Sequence, residues 1–543
     1  MPLPYCARLG LLTVLCLTSA LPAWAADEPD LATINRIIDE GLNRSALPET
    51  AAYLTDRIGG RLTNAPQMRA AEAWTQQQFR SWGLKNVRAE GFDFGRGWSI
   101  ERSSARLITP RVVEYRVIPV AWTPGTGGNV TAPIVVAPMT RDSDFAKWQG
   151  KLRGQIVLVT RPDQGSEPSE PAFQRLSADE LRDLDQYRQP RLANEFNRQK
   201  RLRSAKFDAK LDAFLAAEGA IAWVRKSYRD GGLLHGEGYS HRVGETPKLP
   251  GFELAAENYR QLARLAKAGP APTLELMSEV RFHDEDRNAY NILADLPGRD
   301  ASAGYVMSGA HLDSWVASDG AQDNAAGSAV VMEAARILTK LGLKPKRTVR
   351  FALWSGEEQG IYGSTAYTER HLAGRAPLTD PEQAKLPPYL TWHSRWPIEP
   401  RAGYNALAAY FNIDNGSGKV RGIHAEGNVA VAPIFKAWLA PFASMGATAV
   451  VASPTGGTDH VPMQAVGVPG FQFIQDPLDY NSRIHHTSVD SYDHLKLDDL
   501  KQSAVILASL LWMSAEREQP LPRMPLPTQP KQTDPFEYDE VEE

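Results

Sequence analysis

The chain has 543 residues, 43% of them hydrophobic and 23% charged, which is enough for two or three domains with cores of ordinary size. Sixty Lys and Arg against 64 Asp and Glu leave a formal charge of −4, so a basic face for nucleic acid is not expected. Charge alone selects no partner.

At the N-terminus a single basic residue, Arg8, precedes an apolar run from Leu9 to about Leu21 that ends in "AWAAD". Ala23 and Ala25 form an A-x-A cleavage signal. The segment 1–25 is therefore expected to be an export signal, too short for a spanning helix, giving a secreted or periplasmic protein with no membrane anchor. Both cysteines, Cys6 and Cys16, fall inside it. The exported chain would then lack disulfides, thiolate metal ligands and a cysteine nucleophile, and any metal must be held by His, Asp and Glu.

Residues 31–90 read as helices: "LATINRIIDEGL", "PETAAYLTDRI" and "QMRAAEAWTQQQFRSWGL" carry apolar residues at helical spacing. From about Ser99 short β-type runs such as "YRVIPVAW", "APIVVAPM" and "GQIVLVTR" follow, broken by Gly and Pro. The stretch from about Glu167 to Lys210 is charged and helical in pattern, and "DAFLAAEGAIAWVRK" reads as a helix running into a buried strand. Beyond Arg287, apolar strands alternate with amphipathic helices, from "AYNILADLPG" and "GYVMSGAH" to "PGFQFIQD" and "LKQSAVILASLLWMSA". That alternation predicts an α/β domain with a mainly parallel sheet sandwiched by helices. The Pro-rich, then acidic, end of the chain is expected to be disordered. The expected division is 26–98 with 285–517 for the α/β domain, 99–284 for a β-rich insert, and 518–543 for the tail.

Active sites in open α/β sheets form at the carboxyl ends of strands, and the residues that follow these strands bear chemistry. "YVMSGA" runs into His311 and Asp313, "TVRFALWSG" into Glu357 and Glu358, and "ALAAYFNI" into Asp414, while "FQFIQDPLDYNSRI" leads to His485 and His486. Each alone could be a surface turn or a solvated helix start, where acidic residues suit the dipole. All of them together at successive strand ends point to a metal site. The small residues of "GAQDNAAGSA" would let the backbone approach closely around Asp323 and start a helix at about Ala325. "NGSGKV" lacks the spacing of a phosphate loop, and no G-x-S-x-G elbow is present.

The string "SGAHLDSW…GAQDNAAGSA…GLKPKRTVRFALWSGEEQGIYGS" resembles the co-catalytic zinc exopeptidases, a family that includes bacterial leucyl aminopeptidases, carboxypeptidase Q and glutamate carboxypeptidase II. It is most similar to carboxypeptidase Q, and "GKLRGQIVLVTRP" with "LAAEGAIAWV" looks like the protease-associated domain of several members. The resemblance implies two Zn²⁺ per chain: Asp323 bridging, His311 and Asp414 at one site, Glu358 and His486 at the other. It also implies a cis Asp323–Asn324 peptide, Asp313 accepting the second imidazole N–H of His311, and a metal-activated water with Glu357 as general base. His485 is the implied oxyanion donor, where another member has a tyrosine. The implied function is an exopeptidase acting on short peptides, from the N-terminus in the first reading. A carboxypeptidase or dipeptidase is the alternative, since Arg483 could meet a carboxylate and Asp459 an ammonium. A receptor-like binding protein on the same scaffold would have lost ligands that this chain keeps, and a single-zinc cyclase would lack the insert. A homodimer is compatible with all of this.

Overall fold

The computed structural model describes residues 29–166, 171–186, 195–238 and 245–530. The expected export signal and the last residues of the tail, 531–543, lie outside them. The chain opens with helix α1 (Leu31–Asn43) and, after a short helical stretch, α2 (Pro66–Ser81). An eight-stranded sheet follows, built from β1 (Lys85–Asp93), β2 (Asn288–Leu296), β3 (Tyr305–His311), β4 (Thr348–Trp354), β5 (Leu407–Asn412), β6 (Val420–His424), β7 (Ala449–Val451) and β8 (Gly470–Gln475). Its strand order is β1-β2-β4-β3-β5-β8-β6-β7. Helices α3 (Ala326–Lys340) and α4 (Leu497–Glu516) pack beneath its centre.

The sheet is mixed, with four parallel and three antiparallel pairings, β6 with β7 among the parallel ones. Strands β4, β3, β5 and β8 run parallel, but β1 and β2 pair antiparallel, β2 meets β4 antiparallel, and β6 meets β8 antiparallel. The cause at one edge is the insert. The chain leaves through β1 and returns through β2, so Asp93 sits opposite Asn288, and adjacent strands running out and back must be antiparallel. Alternation along the central strands divides two cores. Val306 and Ala310 of β3, and Phe351 and Leu353 of β4, join α1, α3 and α4 on one face. Met307, Ala352, Trp354 and Tyr410 face the other side with Tyr367, Met463 and Val466.

The excursion between β1 and β2 forms a second eight-stranded sheet with its own apolar cluster. Its neck is the long antiparallel pair Gly97–Thr109 and Thr273–His283, in which Gly97 faces His283. Helix Glu195–Glu218 leads into its strand Ala222–Lys226. Residues 521–523 pack onto the body, although the tail from 518 was expected to be disordered. Leu521 is buried in the main core, Asn428 Nδ2 donates to the Pro522 carbonyl at 2.7 Å, and Arg523 Nη2 donates to the Tyr404 carbonyl at 2.9 Å. The prolines there suit an extended segment whose carbonyls are taken up by side chains of the body.

Candidate metal centre

Parallel register brings the chemistry-bearing residues to one edge. His311 pairs with Trp354 across β3 and β4, and Gly309 pairs with Asn412 across β3 and β5, so the segments after all three strands start side by side. His311 ends β3, and its Nδ1 lies 3.0 Å from the Asp313 carbonyl oxygen. A carbonyl only accepts, so the ring proton sits on Nδ1 and the Nε2 lone pair is free. That Nε2 is 3.1 Å from Asp414 Oδ1 and 3.2 Å from Asp323 Oδ1.

Asp313 corrects the expectation in detail. Its backbone carbonyl, not its carboxylate, sets the His311 tautomer; Oδ1 is 3.7 Å from Nδ1. The carboxylate instead accepts the backbone N–H groups of Glu357 and Glu358, both at 3.3 Å, and the Thr63 hydroxyl at 3.0 Å. The turn after β3 aims the side chain at the loop after β4, and so it positions the adjacent glutamates rather than the histidine.

The small residues around Asp323 have a steric cause. Gly320 has φ +59°, and a Cβ there would lie 2.3 Å from Ser314 Cβ; at Gly327 it would lie 2.4 Å from the Ile413 carbonyl oxygen. The Asp323–Asn324 peptide is cis. Asp490, unnoticed in the sequence, accepts the backbone N–H of Gln322 at 2.7 Å and of Asp323 at 3.1 Å. Thus fixed, Asp323 presents Oδ1 to His311 and Oδ2 to His486 Nε2, 3.3 Å away. His486 Nε2 is also 3.0 Å from Glu358 Oε2, while its Nδ1 is 2.5 Å from Glu237 Oε1, a residue of the insert. His485 stacks on His486 with ring centroids 3.7 Å apart.

Two buried trios have potential ligand atoms within 4.8 Å of one another: His311, Asp323 and Glu358, and His311, Glu357 and Asp414. A third, Asp323 with His485 and His486, meets the same limit with its histidines partly exposed. The donor set is all N and O, as zinc accepts. Asp323 Oδ2 and Glu358 Oε1 are buried and accept no hydrogen bond. Such orphaned anionic oxygens call for a cation. Burial pushes the Glu357 carboxyl well up, His311 pulls it down, and the charges of Asp414, Asp459 and Glu358 push it up further. Burial and the Asp323 charge push Glu358 up to about 7. Burial opposes ionisation of Asp323 too, but the neighbouring imidazoles of His311 and His486 hold its carboxyl well below the ordinary range. His485 is pushed down to about 4 by burial and by His486, so it is a neutral imidazole at neutral pH.

Asp323, Glu357, Glu358, Asp414, His485 and His486 line one cleft of about 700 Å³. Its described lining contains no Lys or Arg. Asp459 does not line it; it is buried and accepts from the Ser364 hydroxyl at 2.5 Å. Arg483 is exposed and also outside the lining. Asp208 and Tyr480, which sequence reasoning did not single out, do line it. Asp208 comes from a helix of the insert, and its only sequence signal was a charged, helical pattern.

Residues 291–511 match peptidase family M28. Carboxypeptidase Q of Bos taurus is 24% identical over 481 residues, covering 88% of this chain and 86% of that protein. Among solved structures, a peptidase M28 precursor from Shewanella amazonensis superposes with a TM-score of 0.63 at 21% identity, over 91% of this chain and 98% of that one. A zinc aminopeptidase from Bacillus subtilis gives 0.54 at 17% identity, over 87% and 95%. The match to peptidase family M28 thus spans the part of the chain that carries His311, Asp323, Glu357, Glu358, Asp414, His485 and His486, and the chain is a metallopeptidase.

Proposed function

We propose that the chain is an exported two-zinc exopeptidase that removes residues from the N-terminus of short peptides. His311 and Asp414 would hold one zinc, Glu358 and His486 the other, and Asp323 would contribute a carboxylate oxygen to each. The observation that carries this reading is the Asp323 carboxylate, whose two oxygens face two different histidines at 3.2 and 3.3 Å. When bound, a zinc pair lowers the pKa of a water toward neutrality and polarises the scissile carbonyl.

The chain's own groups do the rest. Glu357 takes the proton of the attacking water and returns it to the leaving amine. Its carboxyl, pushed up by burial and by neighbouring carboxylates, suits a group that must both accept and release a proton. Neutral His485 donates to the developing oxyanion, and Asp313 fixes the loop that carries Glu357. The insert, read as a protease-associated domain, walls the cleft and contributes Asp208. The Asp208 carboxylate has no hydrogen-bond or ion-pair partner among the described residues, and it receives the substrate ammonium. A carboxypeptidase would need a cation for the free carboxylate, and the described lining supplies none.

Export rests on residues 1–25, and a mature start at or near Ala26 checks it by mass spectrometry. Among the described residues no helix is long and apolar enough to cross a membrane. The function is tested with free, N-acetylated and C-amidated dipeptides on the zinc-loaded mature protein. Free and amidated peptides should be cleaved and acetylated ones spared. The reverse pattern, with amidation abolishing turnover, sinks the aminopeptidase reading.

A further inference from the structure

We propose that Glu237, supplied by the insert, is a positioning residue that sets the tautomer and orientation of His486, so that affinity at one of the two metal sites depends on the insert. The proposal rests on the reading of His486 as a ligand.

Glu237 is 1% exposed, and its Oε1 lies 2.5 Å from His486 Nδ1. An ionised carboxylate only accepts, so the ring proton is held on Nδ1 and the lone pair is directed through Nε2 toward Asp323 and Glu358. His311 achieves the same state with a backbone carbonyl of its own loop. His486 takes its acceptor from a residue 249 positions away in the chain.

The contact is part of a built joint. Arg229 Nη1 donates to the His485 carbonyl at 2.8 Å, the Ser488 N–H donates to the Leu234 carbonyl at 2.8 Å, and the Leu234 N–H donates to Ser488 Oγ at 3.2 Å. Three hydrogen bonds therefore clamp the backbone on either side of His486, whose own φ is +62°. That left-handed conformation disfavours a histidine unless its surroundings impose it. Glu237 is itself held by the Tyr228 hydroxyl, which donates to Oε1 at 3.2 Å, and by Arg225, which donates to its backbone carbonyl at 2.9 Å.

Carboxylates behind a metal-bound histidine typically change metal affinity by about 10–100-fold. The test is zinc binding to the full-length mature protein, read by competition with a chromophoric chelator and without any activity measurement. In Glu237→Met, which keeps volume and removes the acceptor, one zinc should weaken by about 10–100-fold and the other should hold its wild-type affinity. Glu237→Gln keeps an acceptor without the charge, and charge-assisted bonds are roughly twice as strong as neutral ones. It should show a smaller loss, of several-fold, at the same single site. Thermal melts of the zinc-free proteins separate positioning from folding, because a merely structural residue would lower the melting point and weaken both zincs alike. Unchanged affinity in the Gln variant, or an equal fall at both sites, overturns the proposal even if the Met variant fails to fold. A wild-type protein that binds no zinc overturns the metal-centre reading itself.

Discussion

Glu357 and Glu358 are adjacent, line the same cleft and have equivalent backbones, each N–H donating to Asp313 at 3.3 Å. Substituting either by Gln leaves that main-chain anchorage untouched, so differences must come from the side chains. Glu358 Oε2 faces His486 Nε2 at 3.0 Å and Oε1 has no partner, whereas Glu357 groups with His311 and Asp414. Glu358→Gln removes an anionic ligand. Since even outer partners of a ligand are worth about 10–100-fold in affinity, loss of the ligand charge should weaken one zinc by at least about 100-fold. Glu357→Gln should retain both zincs and bind substrate, but lose about 10²–10⁴-fold in kcat, or roughly 3–5 kcal/mol of transition-state stabilisation, with KM little changed. Zinc content by elemental analysis and steady-state kinetics on a free dipeptide decide the matter. Zinc loss from Glu357→Gln with both metals kept in Glu358→Gln means the roles are reversed. Full activity in Glu357→Gln removes the general base from the mechanism altogether.

Asp208→Asn should raise KM for free dipeptides far more than it lowers kcat, by about 10–100-fold if a charged hydrogen bond worth about 1.5–3 kcal/mol is lost; equal kinetics in the variant refute the ammonium contact. Gly327→Ala places a methyl 2.3 Å from Asn324 Oδ1 and 2.4 Å from the Ile413 carbonyl oxygen, so thermal melts should show a loss of about 1–3 kcal/mol or more, and an unshifted melt contradicts the packing. Glu72 in α2 is buried beside Arg69 Nη1 at 3.0 Å, and burial pushes its carboxyl up from 4.5 to about 7. A raised carboxyl contributes stability that is fully present below pH 4.5 and is lost as pH rises through 7, here about 3 kcal/mol. Glu72→Gln should therefore melt above wild type at pH 8 and not at pH 4, and parallel pH curves for the two proteins refute it.

What could be read from the sequence follows from where strands are buried. β3, β4, β5 and β8 are largely covered on both faces, so they appear as mostly apolar runs with few polar interruptions, and each run ends at a change to polar residues. His311, Glu357, Glu358 and Asp414 stand at those changes. β1 was illegible because "KNVRAEGFD" is a half-exposed edge strand, and β6 and β7 are too short to show a period. The Asp313 carboxylate was misassigned because proximity in sequence to His311 outweighed a contact that only register between β3 and β4 creates. Asp490 carries no local pattern and matters through two hydrogen bonds across the fold, as Glu237 does through its bond to His486.

The placement of those long-range partners bears on why an exopeptidase site carries an insert at all. Two antiparallel pairs, Asp93 with Asn288 and Gly97 with His283, form its neck, and a neck alone would leave the insert free to swing. Two further contacts oppose that. Arg175 bonds Asp476 and Asp499 at 3.1 and 2.8 Å, and the 227–238 segment grips the His485–Ser488 loop through Arg229, Leu234 and Glu237. Asp499 is buried, so leaving its charge without Arg175 carries a penalty of the order of kcal/mol, which biases the insert toward one orientation, while Asp476 keeps Arg421 at 2.8 Å. In that orientation Asp208 overlooks the cleft from one side while Glu237 supports a ligand from the other. Swinging the insert away would withdraw the ammonium contact and the His486 support together. Substrate affinity and metal affinity should then fall in step whenever the Arg175 contact is removed, as in Arg175→Ala, although Arg175 touches neither zinc ligand nor cleft. A variant that loses one affinity and keeps the other would show that the two halves of the joint act independently.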